Sequence, residues 1–209
     1  MSQVHETPWG TLGGPILAPH FVAARAAPNV KKMETLQELY EDSIKDMYSA
    51  EKQFLKAMPK LMKAARNESL KKAIEAHIEQ SKGQATRLEE VAKLGGFKPT
   101  GKVCLAAKGL VEETEEHLKE GKPGPVMDAA IIACAQKNEH YEIGTYGTII
   151  TWAEELGLKD ATKLLKDSLA EEEVTDKQLS GIAKTEVNKQ ALSVEIPAPA
   201  PKRGKASVK

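Results

Sequence analysis

The chain has 209 residues, with 30 basic and 30 acidic side chains, 4% aromatics and two cysteines. Balanced charge excludes the field that would draw nucleic acid or an anionic membrane, and no apolar run approaches the roughly 18 residues that span a bilayer. Two cysteines, Cys104 and Cys134, are too few for a disulfide scaffold. With Pro8, Gly10, Gly13, Gly14 and Pro15 interrupting any leader-like start, they indicate a reducing, cytoplasmic setting.

Scarce aromatics beside abundant Ala, Leu, Lys and Glu read as an all-α protein. Residues 1–33 carry Pro, Gly and Ala without periodicity and read as a flexible N-terminal arm. A first long helix is expected over about 34–65, bent at Pro59, whose ring removes a backbone hydrogen bond. Asn67 is placed to cap a second helix that stops at Gly95-Gly96. A long connection follows, with a short helix over about 103–119 and a break at GKPGP (121–125). A third long helix spans about 126–156 and ends at Gly157, and a fourth spans about 160–185. The remaining stretch, 188–209, is rich in Pro and Ala, then basic, and reads as a disordered tail. Two antiparallel hairpins joined by a long crossover describe a ferritin-like four-helix bundle over residues 34–187.

Advancing 100° per residue sorts the side chains by face. On the third helix Ile132, Ile143, Tyr146 and Ile150 mark the buried centre. Glu139 falls in the middle of it, Glu142 lies one turn along, and His140 lies toward the border. On the fourth, Glu172 is central among Leu165, Leu169, Leu179 and Ala183, with Thr175 and Asp176 a turn on. On the second, His77 is central among Leu70, Ile74, Leu88 and Val91, followed by Gln80, Ser81 and Gln84. The first helix carries Glu51 and Asp46 at the edges of its stripe, Glu51 nearer the centre by about 30°.

Height sharpens the choice. Counting back from the hairpin turns sets Glu51 level with about Gly83 and Glu142 level with about Val174, so the ionisable groups converge in one layer. Glu51 is then favoured over Asp46. Burying several carboxylates beside one another costs several kcal/mol unless a cation joins them. Oxygen-rich ligation with an imidazole suits iron or manganese, as a di-metal centre. The ligand set expected from spacing is Glu51, His77, Glu139, Glu142, Glu172 and Asp176. Neither the second nor the fourth helix carries the Glu-x-x-His spacing usual in di-iron bundles.

The runs DSIKDMYSAEKQFLKAMPKL (42–61), AHIEQSKGQATRLEEVAKL (76–94), KVCLAAKGLVEE (102–113), AQKNEHYEIGTYGTIITWAEELG (135–157) and LAEEEVTDKQLSGIA (169–183) resemble the YciE/YciF family of bacterial ferritin-like proteins. The resemblance covers about 34–185. It implies a ferritin-like bundle, usually dimeric, linked to bacterial stress responses and to rubrerythrin-like di-metal binding. Gln80 departs from the acidic residue often found at that position in the family.

Two functions follow as expectations. One is a stress-response di-iron or di-manganese protein that consumes peroxide or oxidises Fe(II). The other is a non-catalytic helical-bundle assembly protein with a vestigial or empty metal site. A homodimer or larger homo-oligomer is expected, with no nucleic-acid or membrane partner and tails that recruit other proteins. Iron storage in a closed shell has no support in the sequence.

Overall fold

The computed structural model describes residues 33–194. The expected N-terminal arm up to residue 32 and the tail from 195 onward lie outside the described residues. Five long helices and a short terminal one follow in order: α1 (Leu36–Ala64), α2 (Glu68–Leu94), α3 (Leu105–Glu120), α4 (Pro125–Glu155), α5 (Lys159–Ile182) and α6 (Asn188–Leu192). Among the described residues there is no strand.

Local chemistry sets the helix ends. Thr35 Oγ1 accepts from the Glu38 amide at 3.1 Å, and Glu38 accepts in return from the Glu34 amide at 3.0 Å. Asn67 Oδ1 accepts from the Leu70 amide at 2.9 Å and starts α2. Gly96, with φ 72°, turns the chain out of α2 while the Phe97 amide donates to Ala92 O at 3.0 Å. Gly157, also at φ 72°, repeats this device after α4, with Leu158 N–H on Ala153 O at 2.8 Å. Pro125 opens α4 at a position where no amide hydrogen is needed.

α1 pairs with α2 and α4 with α5. α2 then packs on α5, α1 packs on α4, and the crossover helix α3 lies across α1 and α4. This is a four-helix bundle whose two hairpins are joined by a long crossover, as the spacing predicts. Tyr40, Ile44, Met47 and Phe54 of α1 meet Leu70 and Leu88 of α2, Ile131 and Ile149 of α4, and Leu165 and Leu179 of α5 in one buried core.

Three details differ from the sequence expectation. Glu51 is not at the edge of the α1 stripe but fully buried, because α2, α3 and α4 cover α1 on three sides and widen its buried arc. Ile143 and Leu169 are only half-buried, since their faces of α4 and α5 turn partly outward. The helical backbone does not stop near 185. A π-helical turn, Ala183–Val187, leads into α6, and Val187 packs fully buried in the core. Pro59 sits on the exposed side of α1, five residues before its end, and the helix runs through it.

Candidate metal centre

One layer of the bundle gathers what the sequence scatters over four helices. His77 (α2), Glu139 and Glu142 (α4) and Glu172 (α5) are all buried, and each offers a ligand atom within 4.8 Å of the others. His77 Nε2 lies 3.2 Å from Glu139 Oε1 and 3.7 Å from Glu172 Oε2. Glu51 of α1 joins the layer electrostatically, since its charge acts on both Glu139 and Glu142. It is held from one side by the Tyr146 hydroxyl, which donates to Glu51 Oε1 at 2.7 Å.

Burial dominates the protonation of these acids. It pushes Glu51 up to about 8, reinforced by the charge of Glu172 and opposed by the Tyr146 hydrogen bond. It pushes Glu139 up to about 7, with the charges of Glu51 and Asp176 adding to the effect. Glu142 and Glu172 are raised well above the ordinary carboxylate range, again by burial first.

Hydrogen bonding leaves a specific deficit. Glu51 Oε2, Glu139 Oε2, both oxygens of Glu142 and both of Glu172 are buried with no donor among the described residues. Orphaned buried acceptors of this kind are rare in folded proteins. A divalent cation satisfies several at once, and an imidazole with a free lone pair completes an N/O donor set that could hold one. The residues present therefore fit a metal. His77 is oriented for this role: Nδ1 lies 3.4 Å from Thr175 Oγ1, and Thr175 donates to Glu171 O at 3.1 Å. A hydrogen on Nδ1 directed to Thr175 leaves the Nε2 lone pair facing Glu139 and Glu172.

The remaining candidates are placed as follows. Asp176 is half-buried beside the layer, where its Oδ1 accepts from Gln136 Nε2 at 3.0 Å and lies 3.2 Å from His140 Nε2. It stands outside the four-residue group. His140 is exposed, in keeping with its border position. Asp46 turns away from the layer, accepting from Tyr141 at 3.0 Å and pairing with Lys102 at 3.4 Å. Gln84, fully buried, donates to Glu171 at 3.0 Å, and Arg87 engages the same carboxylate as well as Ser168 Oγ at 2.9 Å.

Sequence reasoning missed Asn138, which is buried beside the site with its Oδ1 unpartnered. The available signal was its place four residues before Glu142 on the buried side of α4. Asn138, His77, Glu139 and Glu142 border a small cavity of about 20 Å3, the space open to the centre of a water-sized sphere. Phe54, Met58, Ile74 and Leu179 form its apolar wall. Space of this size takes a water or a similarly small molecule.

Residues 35–192 match the family described as a domain of unknown function, DUF892. The chain is 44% identical to Protein YciF of Escherichia coli K12 over 160 residues, covering 76% of this chain and 96% of that protein. The crystal structure of the E. coli stress protein YciF superposes with a TM-score of 0.72, covering 75% of this chain and 99% of that one. A Rhodopseudomonas palustris protein, YcfI, is 39% identical with a TM-score of 0.69, over 72% of this chain and 96% of that one. A Xanthomonas campestris protein at 16% identity and a TM-score of 0.57, covering 72% of this chain and 92% of that one, shares the fold. No described helix is long and apolar enough to cross a membrane. On family model, sequence and structure together, this chain belongs to the DUF892 family, with E. coli YciF among its relatives.

Proposed function

We propose that this chain is a cytoplasmic stress-response protein that holds iron or manganese in its bundle core and uses it to reduce peroxide or oxidise Fe(II). The observation that carries the reading is the set of six buried carboxylate oxygens without donors around one oriented imidazole. The printed description of E. coli YciF as a stress protein supports the biological setting. When bound, the metal supplies the redox chemistry.

The chain's own residues have separable tasks. His77, Glu139, Glu142 and Glu172 would form the innermost donor set, and Glu51, the fourth acid, would help to hold a second ion. Tyr146 fixes one oxygen of Glu51 and leaves the other free. Thr175 fixes the imidazole. The apolar wall of Phe54, Met58 and Leu179 excludes bulk water and limits the reacting partner to a small molecule. Asp176 is a proton-accepting or positioning group at the edge rather than an inner donor, given its contacts with Gln136 and His140.

A homodimer or larger homo-oligomer is part of this reading, and light scattering on the purified chain tests it. The metal itself is tested by elemental analysis after purification without added metal, followed by an optical spectrum on aerobic Fe(II) addition. Iron or manganese well above trace, with an oxo-bridged diferric band on reconstitution, is the expected result. Absence of Fe, Mn and Zn, with no binding on reconstitution, sinks the proposal. That outcome favours the non-catalytic assembly reading, which also draws on the description of the R. palustris relative as a structural protein.

A further inference from the structure

Phe54 faces two environments. Its ring walls the cavity beside His77, Glu139 and Glu142, and it also meets the Tyr141 ring edge-on, centroids 6.3 Å apart and planes at 77°. Tyr141 precedes Glu142 on α4, and its hydroxyl reaches the seam between α1 and the start of α3. There it donates to Asp46 Oδ2 at 3.0 Å and contacts Cys104 Sγ at 2.9 Å. With the phenol hydrogen committed to Asp46, the thiol is the donor in the second contact.

Cys104 is held tightly. It is fully buried, its amide donates to Ser49 Oγ at 2.9 Å, and its carbonyl accepts from Gln53 Nε2 at 3.0 Å. Sγ also accepts from the Ala107 amide at 3.4 Å and so caps α3. Asp46 pairs with Lys102 at 3.4 Å, and Lys102 also pairs with Asp42. Lys102 is about one-third exposed, so the run thiol, phenol, carboxylate, ammonium leads from a buried sulfur to solvent.

No other described tyrosine has this pairing. Tyr146 donates straight to Glu51 and meets no sulfur. Tyr48 donates to Glu89 at an exposed position. The Tyr40 hydroxyl is buried without a partner.

We infer that Tyr141 and Cys104 form a hydrogen-atom relay that passes single electrons by way of Phe54 to the carboxylate site. The relay rests on the metal reading of that site. In the first step Tyr141 would give one electron to an oxidised metal ion held by His77, Glu139, Glu142 and Glu172, while its phenolic proton moves to the Asp46 carboxylate. A neutral phenoxyl radical and a protonated Asp46 result. In the second step the Cys104 S–H bond breaks and its hydrogen atom moves to the phenoxyl oxygen, restoring the phenol and leaving a thiyl radical. The net change is one electron to the site, one proton to Asp46 and one hydrogen atom lost from Cys104. Soft, oxidisable sulfur is the natural end of such a path.

The test uses the full chain in two arms, both read by freeze-quench electron paramagnetic resonance. One arm oxidises metal-free protein with photogenerated tris(bipyridine)ruthenium(III). The other treats iron-reconstituted protein with hydrogen peroxide, with iron content measured on the same samples. Cys104→Ser keeps a hydroxyl donor to Tyr141 but removes the oxidisable sulfur, so its phenoxyl signal persists several-fold longer than in the unmodified chain. Tyr141→Phe keeps the packing on Phe54 and abolishes the signal, and Tyr48→Phe changes nothing. An undiminished signal in Tyr141→Phe, or an unchanged lifetime in Cys104→Ser, overturns the relay. A Tyr141 signal in the ruthenium arm with none in protein that retains iron overturns the link to the site. Failure to retain iron at all is a failure of the metal reading, and the ruthenium arm still decides the relay.

Discussion

His77 Nε2 lies 3.2 Å from Glu139 Oε1, so an imidazole from one hairpin meets a buried acid from the other. Glu172 closes the same contact at 3.7 Å from α5. Three helices thus present their polar groups to one point, and nothing but His77 in that group can carry positive charge. The arrangement is a poor way to stabilise a bundle and a good way to hold a cation, because desolvating acids costs more than one imidazole returns.

That balance yields opposite effects of one double substitution. In Glu139→Gln/Glu172→Gln, iron and manganese binding should fall at least about 10–100-fold, as read by equilibrium dialysis. The metal-free protein should become more stable, by roughly 1–4 kcal/mol in urea denaturation. Undiminished metal uptake, or a metal-free variant less stable than the parent, counts against the site.

The same acids set a pH dependence. Glu139 titrates near 7 and Glu51 near 8 in the fold, both above the ordinary value of 4.5. The folded state therefore holds these protons more tightly than the unfolded chain. Their contribution is complete below pH 4.5 and is lost as pH rises through 7 and then 8. Chelator-treated protein should melt at a lower temperature at about pH 8.5 than at about pH 5.5, by about 2–4 °C for each kcal/mol lost. Metal should reverse the trend, because a bound cation favours the ionised acids. Scanning calorimetry with and without chelator checks both signs, and a metal-free melting point that climbs with pH contradicts the account.

Much of this layer was legible as pattern. Helical periodicity alone put Glu139, Glu142, Glu172 and His77 on buried faces, and antiparallel counting put them at one height. A helical wheel puts Glu51 at an edge because it treats each helix as having one partner, whereas α1 is covered by three. Partners of side chains were not legible at all. Asp176 looks like an inner ligand on spacing, yet Gln136 and the border residue His140 occupy it, contacts that spacing does not show. Asn138 lies one turn before Glu142 on the buried face of α4, but an amide carries no charge whose burial would demand a partner, so its helical position alone does not mark it as part of the site. The continuation through α6 was invisible because it depends on Val187 reaching the core, a tertiary contact.

Asp128 shows the same limit away from the site. In the first turn of α4 it reads as an ordinary dipole complement. Its carboxylate instead accepts from the backbone amides of Arg66 at 2.7 Å and Asn67 at 2.9 Å, pinning the α1–α2 turn against α4. The residue is almost fully buried. Asp128→Ala removes two charge-assisted bonds and strands both amides, so a loss of about 2–4 kcal/mol is expected in chemical denaturation. A loss below about 1 kcal/mol would mean that water replaces the carboxylate at little cost.

Tyr146 couples stability to the site most directly. Among the described residues its hydroxyl is the one donor to the buried Glu51 carboxyl, and it lies 2.7 Å from Oε1. The bond opposes the upward push of burial on Glu51. Tyr146→Phe preserves the ring in the core and removes only that donor, leaving both oxygens of Glu51 without a protein partner. In metal-free protein the cost should be about 1–3 kcal/mol at alkaline pH, where Glu51 is ionised, and smaller at acidic pH, where it is protonated. Metal affinity should fall about 10-fold or more, since an acid released from its orienting partner must be ordered on binding. Urea titrations at the two pH values separate the charged from the neutral penalty, and dialysis against manganese measures the affinity. A variant equally destabilised at both pH values and unchanged in affinity would show that the hydroxyl serves packing alone.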